Sequence, residues 1–106
     1  MKLLTKEIEK KLKASPLYSK DGHDPEKTEV IVKFFHPYGA GTWYITEGER
    51  KGHDWLFFGL CSISNAELGY VALSDLQSVG TIERDLYWSG TLADAKKREG
   101  SIKNGI

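Results

Sequence analysis

The distribution of apolar residues between positions 29 and 88 predicts a sheet of about five strands. The segment EVIVKFF, at 29–35, carries β-branched and aromatic residues on both faces, and DWLFFGLCSI, at 54–63, is largely apolar. Three further segments, TWYITE, YVALS and TIERDLYW, also have the composition of strands, and turn-forming residues separate most of the five. One of the predicted turns is SNAELG, at 64–69. Short connections between successive strands favour antiparallel pairing.

Helical spacing is seen near the N-terminus, with a shorter helix expected later in the chain. Leu4, Ile8 and Leu12 recur at four-residue spacing, which predicts a short N-terminal helix that Pro16 brings to an end. Ser74 is placed to cap a single helical turn through DLQSV. The pattern therefore predicts an α+β fold with a mainly antiparallel sheet, an N-terminal helix and one or two short helices.

The length of the chain fits one domain. Its 106 residues can enclose a single core, and no repeat or linker divides them. We expect a globular domain over 1–90 and a polar C-terminal tail, helical in part, over 91–106.

The charge and cysteine content exclude several classes of protein. Fifteen basic and fifteen acidic residues balance, which argues against a general nucleic-acid binder held by phosphate charge. A single cysteine excludes an intramolecular disulfide and a cysteine-rich zinc site. No apolar run approaches the ~20 residues of a membrane span, and the N-terminus becomes charged too early for a secretory signal. We therefore expect a cytoplasmic protein without membrane association.

The segment IERDLYW carries three consecutive charges in front of apolar residues. If it is extended, Glu83 and Asp85 share one face, about 6.5–7 Å apart. With a third carboxylate they could bind Mg²⁺ or Mn²⁺, which prefer oxygen ligands. The alternative interpretation is a solvated polar face.

Arg84 falls on the opposite face of that segment, among apolar neighbours. A buried guanidinium needs a carboxylate partner, for which Glu47 and Glu67 are candidates. An arginine whose stem covers aromatic rings while its head reaches solvent fits the sequence equally well.

Aromatic residues are frequent in the predicted strands. Several of them on one exposed face could stack nucleic-acid bases, although core packing explains most aromatic residues in strands. The residues concerned are Trp43, Tyr44, Trp55, Tyr70, Tyr87 and Trp88.

Taken together, these segments resemble a family of small bacterial proteins, often carried on plasmids, phages and integrative elements, that is known as a domain of unknown function. The resemblance runs through LLT at 3–5, VKFF at 32–35, TWYITE at 42–47, LFFGL at 56–60, ELGYVALSDL at 67–76 and IERDLYW at 82–88. Some members are labelled single-stranded DNA endonucleases. The resemblance implies a polar signature at Thr42, Glu47, Glu67, Glu83, Arg84 and Asp85. The connection between SDLQSVG and TIERD is shorter here than in many members, which reduces a loop that could complete a site.

Two functions follow from these observations, and the first is a non-enzymatic accessory or interaction module of a mobile element. It needs no cofactor, and its partner is an unidentified protein. A few exposed aromatic residues should dominate binding. The candidate binding residues are Glu47, Glu67, Trp43 and Tyr70.

The alternative is a metal-dependent endonuclease acting on single-stranded DNA. Its candidate catalytic residues are Glu83, Asp85 and Arg84, and the candidate ligands for Mg²⁺ or Mn²⁺ are Glu47, Glu67, Glu83 and Asp85. Convergence of three or more carboxylates would favour this nuclease. Carboxylates facing water, with Arg84 paired to a glutamate, would favour the interaction module.

Overall fold

The chain forms one antiparallel sheet with helices on both of its faces. The computed structural model describes residues 2–103, including the side chains of 2–100. Within this range the elements are α1 (Lys6–Lys13), β1 (Val32–Phe35), β2 (Thr42–Lys51), β3 (Asp54–Ser62), β4 (Ala66–Ala72), α2 (Leu73–Val79), β5 (Glu83–Arg84) and α3 (Leu92–Lys103). The predicted α+β class, with five strands and an N-terminal helix, is confirmed.

The strands follow the order β4-β3-β2-β1-β5, and every neighbouring pair is antiparallel. The first four strands form a meander, and β5 returns to pair with β1 at the opposite edge. A bulge between Ile45 and Glu47 shifts the register of β2 against β3. The two outer strands of the sheet are β4, with seven residues, and β5, with two residues.

The main core lies between the sheet and the helices α1 and α2. Thr5 caps α1 by accepting a hydrogen bond from the backbone N–H of Ile8 at 3.2 Å. Burial of each large apolar side chain contributes about 1.5–3 kcal/mol. The most deeply buried members are Leu12, Phe34, Ile45, Phe57 and Leu76.

A smaller core lies on the other face, beneath α3. Leu92 and Ala95 of this helix are buried against Val30, Tyr44 and Leu60. The segment expected to be a polar tail therefore contains a helix that packs on the sheet. Residues 104–106 of that segment lie outside the described residues.

The prediction of a strand over TIERDLYW is wrong outside Glu83 and Arg84. Only Glu83 and Arg84 pair with β1. The Asp85 carboxylate accepts a hydrogen bond from the backbone N–H of Tyr87 at 2.9 Å, which turns the chain. Leu86 and Tyr87 are consequently exposed, and Leu86 does not continue the face of Arg84.

Two other element boundaries also differ from the predictions. The strand β4 begins at Ala66, inside the segment SNAELG that was expected to be a turn. Ser74 lies within α2, and its N–H and hydroxyl both donate to the carboxylate of Asp54, at 3.0 and 2.6 Å. A residue distant in sequence therefore caps this helix, which local pattern cannot indicate.

Candidate functional site

Arg84 holds the N-terminal segment against the sheet. Its register with Phe34 places it on the α1/α2 face, away from Glu83, as its position in the sequence predicts. Its guanidinium donates to the backbone carbonyls of Lys2 at 2.6 Å and Leu3 at 3.1 Å. These bonds give Arg84 a structural role at the start of the chain.

Asp85 pairs with a buried lysine on the opposite face. The ammonium of Lys33 lies 3.2 Å from the Asp85 carboxylate, and Lys33 is only 6% exposed. The same ammonium lies 5.0 Å from the centre of the Trp88 ring and 5.3 Å from that of Tyr44. Burial opposes ionisation of Asp85, but the Tyr87 amide and Lys33 outweigh it, so the pKa of Asp85 lies below its ordinary value.

A polar cluster is formed by Lys33, Asp85, Trp88 and Tyr44, and Tyr44 connects it to α3. Its hydroxyl donates to the Glu99 carboxylate at 2.5 Å. Burial, together with this bond, raises the pKa of Tyr44 well above its ordinary value, so the phenol keeps its proton at neutral pH. The cluster thus joins β1, β2, the turn after β5 and α3 through partners within the chain.

Glu47 is buried next to the bulge in β2. It is 2% exposed, and its Oε1 atom has no hydrogen-bond partner among the described residues. Burial raises the pKa of Glu47, while the nearby backbone N–H groups of Tyr18 and Lys20 counteract part of this effect. Glu47 therefore lies beside the loop in which Tyr18 adopts a left-handed conformation, with φ at 71°.

The four candidate metal ligands do not form one group. Glu67 is aligned with Cys61, which places it on the α1/α2 face, whereas Glu47, Glu83 and Asp85 belong to the α3 face. Over residues 2–103, no three histidine, cysteine, aspartate or glutamate side chains are grouped closely enough to hold a metal ion. The Asp85 carboxylate lies against Lys33, so it does not face bulk water as the solvated-face interpretation predicts.

The two aromatic candidates for binding have opposite environments. Trp43 is buried in the main core and is 8% exposed. Tyr70 lies on the outermost strand, β4, and is 49% exposed. Only Tyr70 is therefore available to a partner without rearrangement of the core.

Tyr70 belongs to an apolar surface that we call the edge patch, formed by Tyr18, Ile63, Leu68 and Tyr70. All four side chains are about half exposed or more. The rings of Tyr18 and Tyr70 are 6.5 Å apart in an edge-to-face arrangement, while Ile63, Leu68 and Tyr70 line a shared depression of about 260 Å³. The neighbouring Tyr18 side chain raises the pKa of Tyr70 to about 12, so the Tyr70 phenol keeps its proton at neutral pH.

Of the residues in the edge patch, the sequence alone indicates only Tyr70. Leu68 and Tyr70 alternate in β4, and this alternation was the available signal. It was lost because SNAELG, which contains Leu68, has the composition of a turn. Tyr18 is far from β4 in sequence and could not be placed beside Tyr70 by pattern alone.

A groove of about 390 Å³ on the α1/α2 face is less suited than the edge patch to binding a defined ligand. Trp55 and Leu76 are buried residues of its lining, and Lys2, Glu9 and Arg50 supply charged groups. Lys2 and Arg50 are exposed, so water competes for them.

Fold and surface define this protein as an α+β domain with an open, apolar sheet edge. The chain belongs to the family described as Protein of unknown function (DUF2958), which it matches over residues 3–102. The resemblance to a domain of unknown function is thereby confirmed. No curated protein and no solved structure matches the chain. None of the helices in the described residues has the length and apolar character needed to cross a membrane.

Proposed function

We propose that this protein is a non-enzymatic interaction module that binds another protein through the edge patch. The observation that carries the proposal is the alignment of half-exposed apolar side chains along a sheet edge. The resemblance in sequence supports a role in a bacterial mobile element, and the chain composition supports action in the cytoplasm.

The geometry of the edge favours a partner that binds as an extended strand. An added strand takes its affinity from main-chain hydrogen bonds and its specificity from side chains at alternate positions. On β4 the alternate residues Leu68 and Tyr70 point to the α3 face, where they can meet apolar side chains of the added strand. The partner expected from this surface is a protein segment with apolar residues two positions apart.

Cross-linking from the edge patch tests the proposal. With p-benzoylphenylalanine in place of Tyr70, illumination of cells that produce the protein should give a discrete adduct. The additional substitution Leu68→Lys should abolish the adduct, because a lysine on an edge strand opposes further pairing.

Val79→Lys is the matched control, since Val79 is equally exposed but lies on α2, and it should leave the adduct unchanged. A failure to form an adduct, or an adduct that survives Leu68→Lys, would contradict the proposal.

The nuclease alternative makes a different prediction for Glu83 and Asp85. We expect the purified protein to leave end-labelled single-stranded DNA uncut in Mg²⁺ or Mn²⁺. Metal-dependent cutting by the native chain that is lost in a folded Glu83→Ala/Asp85→Ala variant would establish the nuclease and overturn the non-enzymatic proposal. Asp75→Ala is a suitable control carboxylate, because Asp75 is exposed on α2.

A further inference from the structure

We infer that the strand bound at this edge is β4 of a second copy of the chain, paired antiparallel about Gly69. This inference rests on the proposed function and names its partner. It would join two five-stranded sheets into one continuous sheet of ten strands.

The edge formed by β4 has few of the features that normally prevent pairing. Edge strands are commonly protected by charged side chains, above all lysine, by proline, a bulge, short length or a covering loop. The seven residues of β4 include one charged side chain, Glu67, but no lysine or proline, and their register with β3 is regular. Within residues 2–103, no backbone hydrogen bond from a loop or helix reaches β4. The other edge, β5, has only two residues and offers little to a partner.

The sequence of β4 is complementary to itself in one register. With Gly69 opposite Gly69 of the second copy, Leu68 lies opposite Tyr70 of that copy, and the same contact occurs twice. Glu67 then lies opposite Val71, so the two Glu67 carboxylates are well separated. Cross-strand pairs of aromatic and aliphatic residues stabilise the pairing of two strands.

Neighbouring registers are poorer. A shift that aligns Leu68 with itself places Tyr70 opposite Ala66, and one that aligns Tyr70 with itself places Leu68 opposite Ala72. A further shift brings the two Glu67 side chains together, which is unfavourable. The register about Gly69 is the one that matches both large side chains.

The symmetry of this pairing also matches the layers of the fold. A two-fold axis perpendicular to the sheet keeps the α3 face of both copies on the same side. Leu68 and Tyr70 of each copy then meet on that side, next to Tyr18 of each chain. The closed symmetry ends the assembly at two copies, because the other edge of each sheet is the short β5.

Gly69 lies at the centre of this register and has open space around it. A Cβ atom built at Gly69 meets no other atom within 4 Å, and its φ is not in the left-handed region. The fold of the single chain therefore does not require glycine here, although glycine weakens a strand. Position 69 can accordingly carry a cysteine without disturbing the single chain.

Sedimentation of the purified protein over a range of concentrations tests whether the two copies associate. The native chain should form a dimer of twice its 11.9 kDa mass. Leu68→Lys should weaken the association about tenfold or more, and Val79→Lys should not change it. A native chain that stays monomeric, or a Leu68→Lys variant that dimerises as well as native protein, would overturn the inference.

Disulfide trapping tests the register. In a Cys61→Ser background, Gly69→Cys should form a covalent dimer rapidly, because antiparallel partners lie about 4.5–5.5 Å apart at Cα, within disulfide range. Ala66→Cys is the control on the same strand, and its two copies would be roughly 20 Å apart along the strand. Equal or faster trapping through position 66 would overturn the register.

The two proposals can fail separately. A monomeric native chain that still forms a Leu68-dependent adduct with a different protein in cells would refute the second copy and preserve the interaction module. A cross-linked product of twice the chain mass would support both proposals.

Discussion

At the scale of single residues, Lys33 is the buried charge whose contacts stabilise the α3 face of the sheet. Its ammonium is nearly inaccessible to water and is stabilised by the Asp85 carboxylate and two aromatic rings. A buried charge that loses its partner is more costly than the absence of the pair. The two members of the pair are therefore not equivalent to substitution.

Asp85→Asn should destabilise the protein by about 2–3 kcal/mol, because it leaves the Lys33 charge buried without an ionic partner. Lys33→Met should cost less, since the Asp85 side chain is 22% exposed and can be hydrated when the lysine is gone. Urea denaturation of both variants measures the two values. Equal stability of Asp85→Asn and native protein would show that the pair has no structural role.

Glu47 makes the stability of the protein depend on pH in a specific direction. Because its pKa is higher in the folded state, the native protein binds the proton more tightly than the unfolded chain. Its contribution to stability is complete below the unfolded pKa and is lost as the pH rises through the folded pKa.

Glu47→Gln should therefore be more stable than the native protein at pH 7, and its stability should vary less between pH 4 and neutral, taking the ordinary glutamate pKa of about 4.3 as the lower limit. Thermal denaturation across this pH range measures the effect. Glu49→Gln is the control on the same strand, because Glu49 is partly exposed and paired with Lys51. A Glu47→Gln variant that loses as much stability as the native chain when the pH rises through this range would contradict the explanation.

At the scale of elements, two paired glycines distinguish the centre of the sheet from its edge. Gly59 of β3 and Gly69 of β4 are direct partners in the register. A Cβ atom at Gly59 would overlap the backbone carbonyl of Tyr44, whereas one at Gly69 meets nothing.

Gly59→Ala should lower stability by about 3 kcal/mol or more, because the sheet must open to admit the methyl group. Gly69→Ala should be neutral or stabilising by about 0.5 kcal/mol, since alanine is less costly in a strand. Denaturation of both variants in the Leu68→Lys background would exclude effects of self-association. Comparable losses in the two variants would contradict the difference between centre and edge.

The elements also differ in how far the local sequence determines them. The strands β1, β2 and β3 were predictable because their apolar residues are numerous and local in sequence. The end of β5 was not, because the Asp85 side chain turns the chain after only two paired residues. The start of β4 is not predictable because its first residues lie in SNAELG, a segment with the composition of a turn.

The candidate sites, too, can be predicted only as far as local sequence patterns determine them. Sequence periodicity placed Glu83 and Asp85 opposite Arg84, and the strand register agrees with this for β5. It could not show that Lys33 faces Asp85, because the two residues of this contact are far apart in the sequence. The edge patch likewise depends on a loop residue, Tyr18, that the fold brings to β4.

At the scale of the whole molecule, the two edges of the sheet have different properties. One edge ends in the short β5, while β4 presents a regular, apolar strand over seven residues. An exposed edge of this kind is prone to unwanted pairing unless a specific partner covers it. We therefore expect β4 to be covered in the working state of the protein.

Amide hydrogen exchange of residues 66–72, followed by NMR, tests that claim most directly. In concentrated native protein the outward-facing amides of β4 should be protected, and Leu68→Lys should abolish this protection while the amides of β2 and β3 remain unchanged. Outward-facing amides that exchange equally fast in both proteins, at every concentration, would show that no second copy covers the edge.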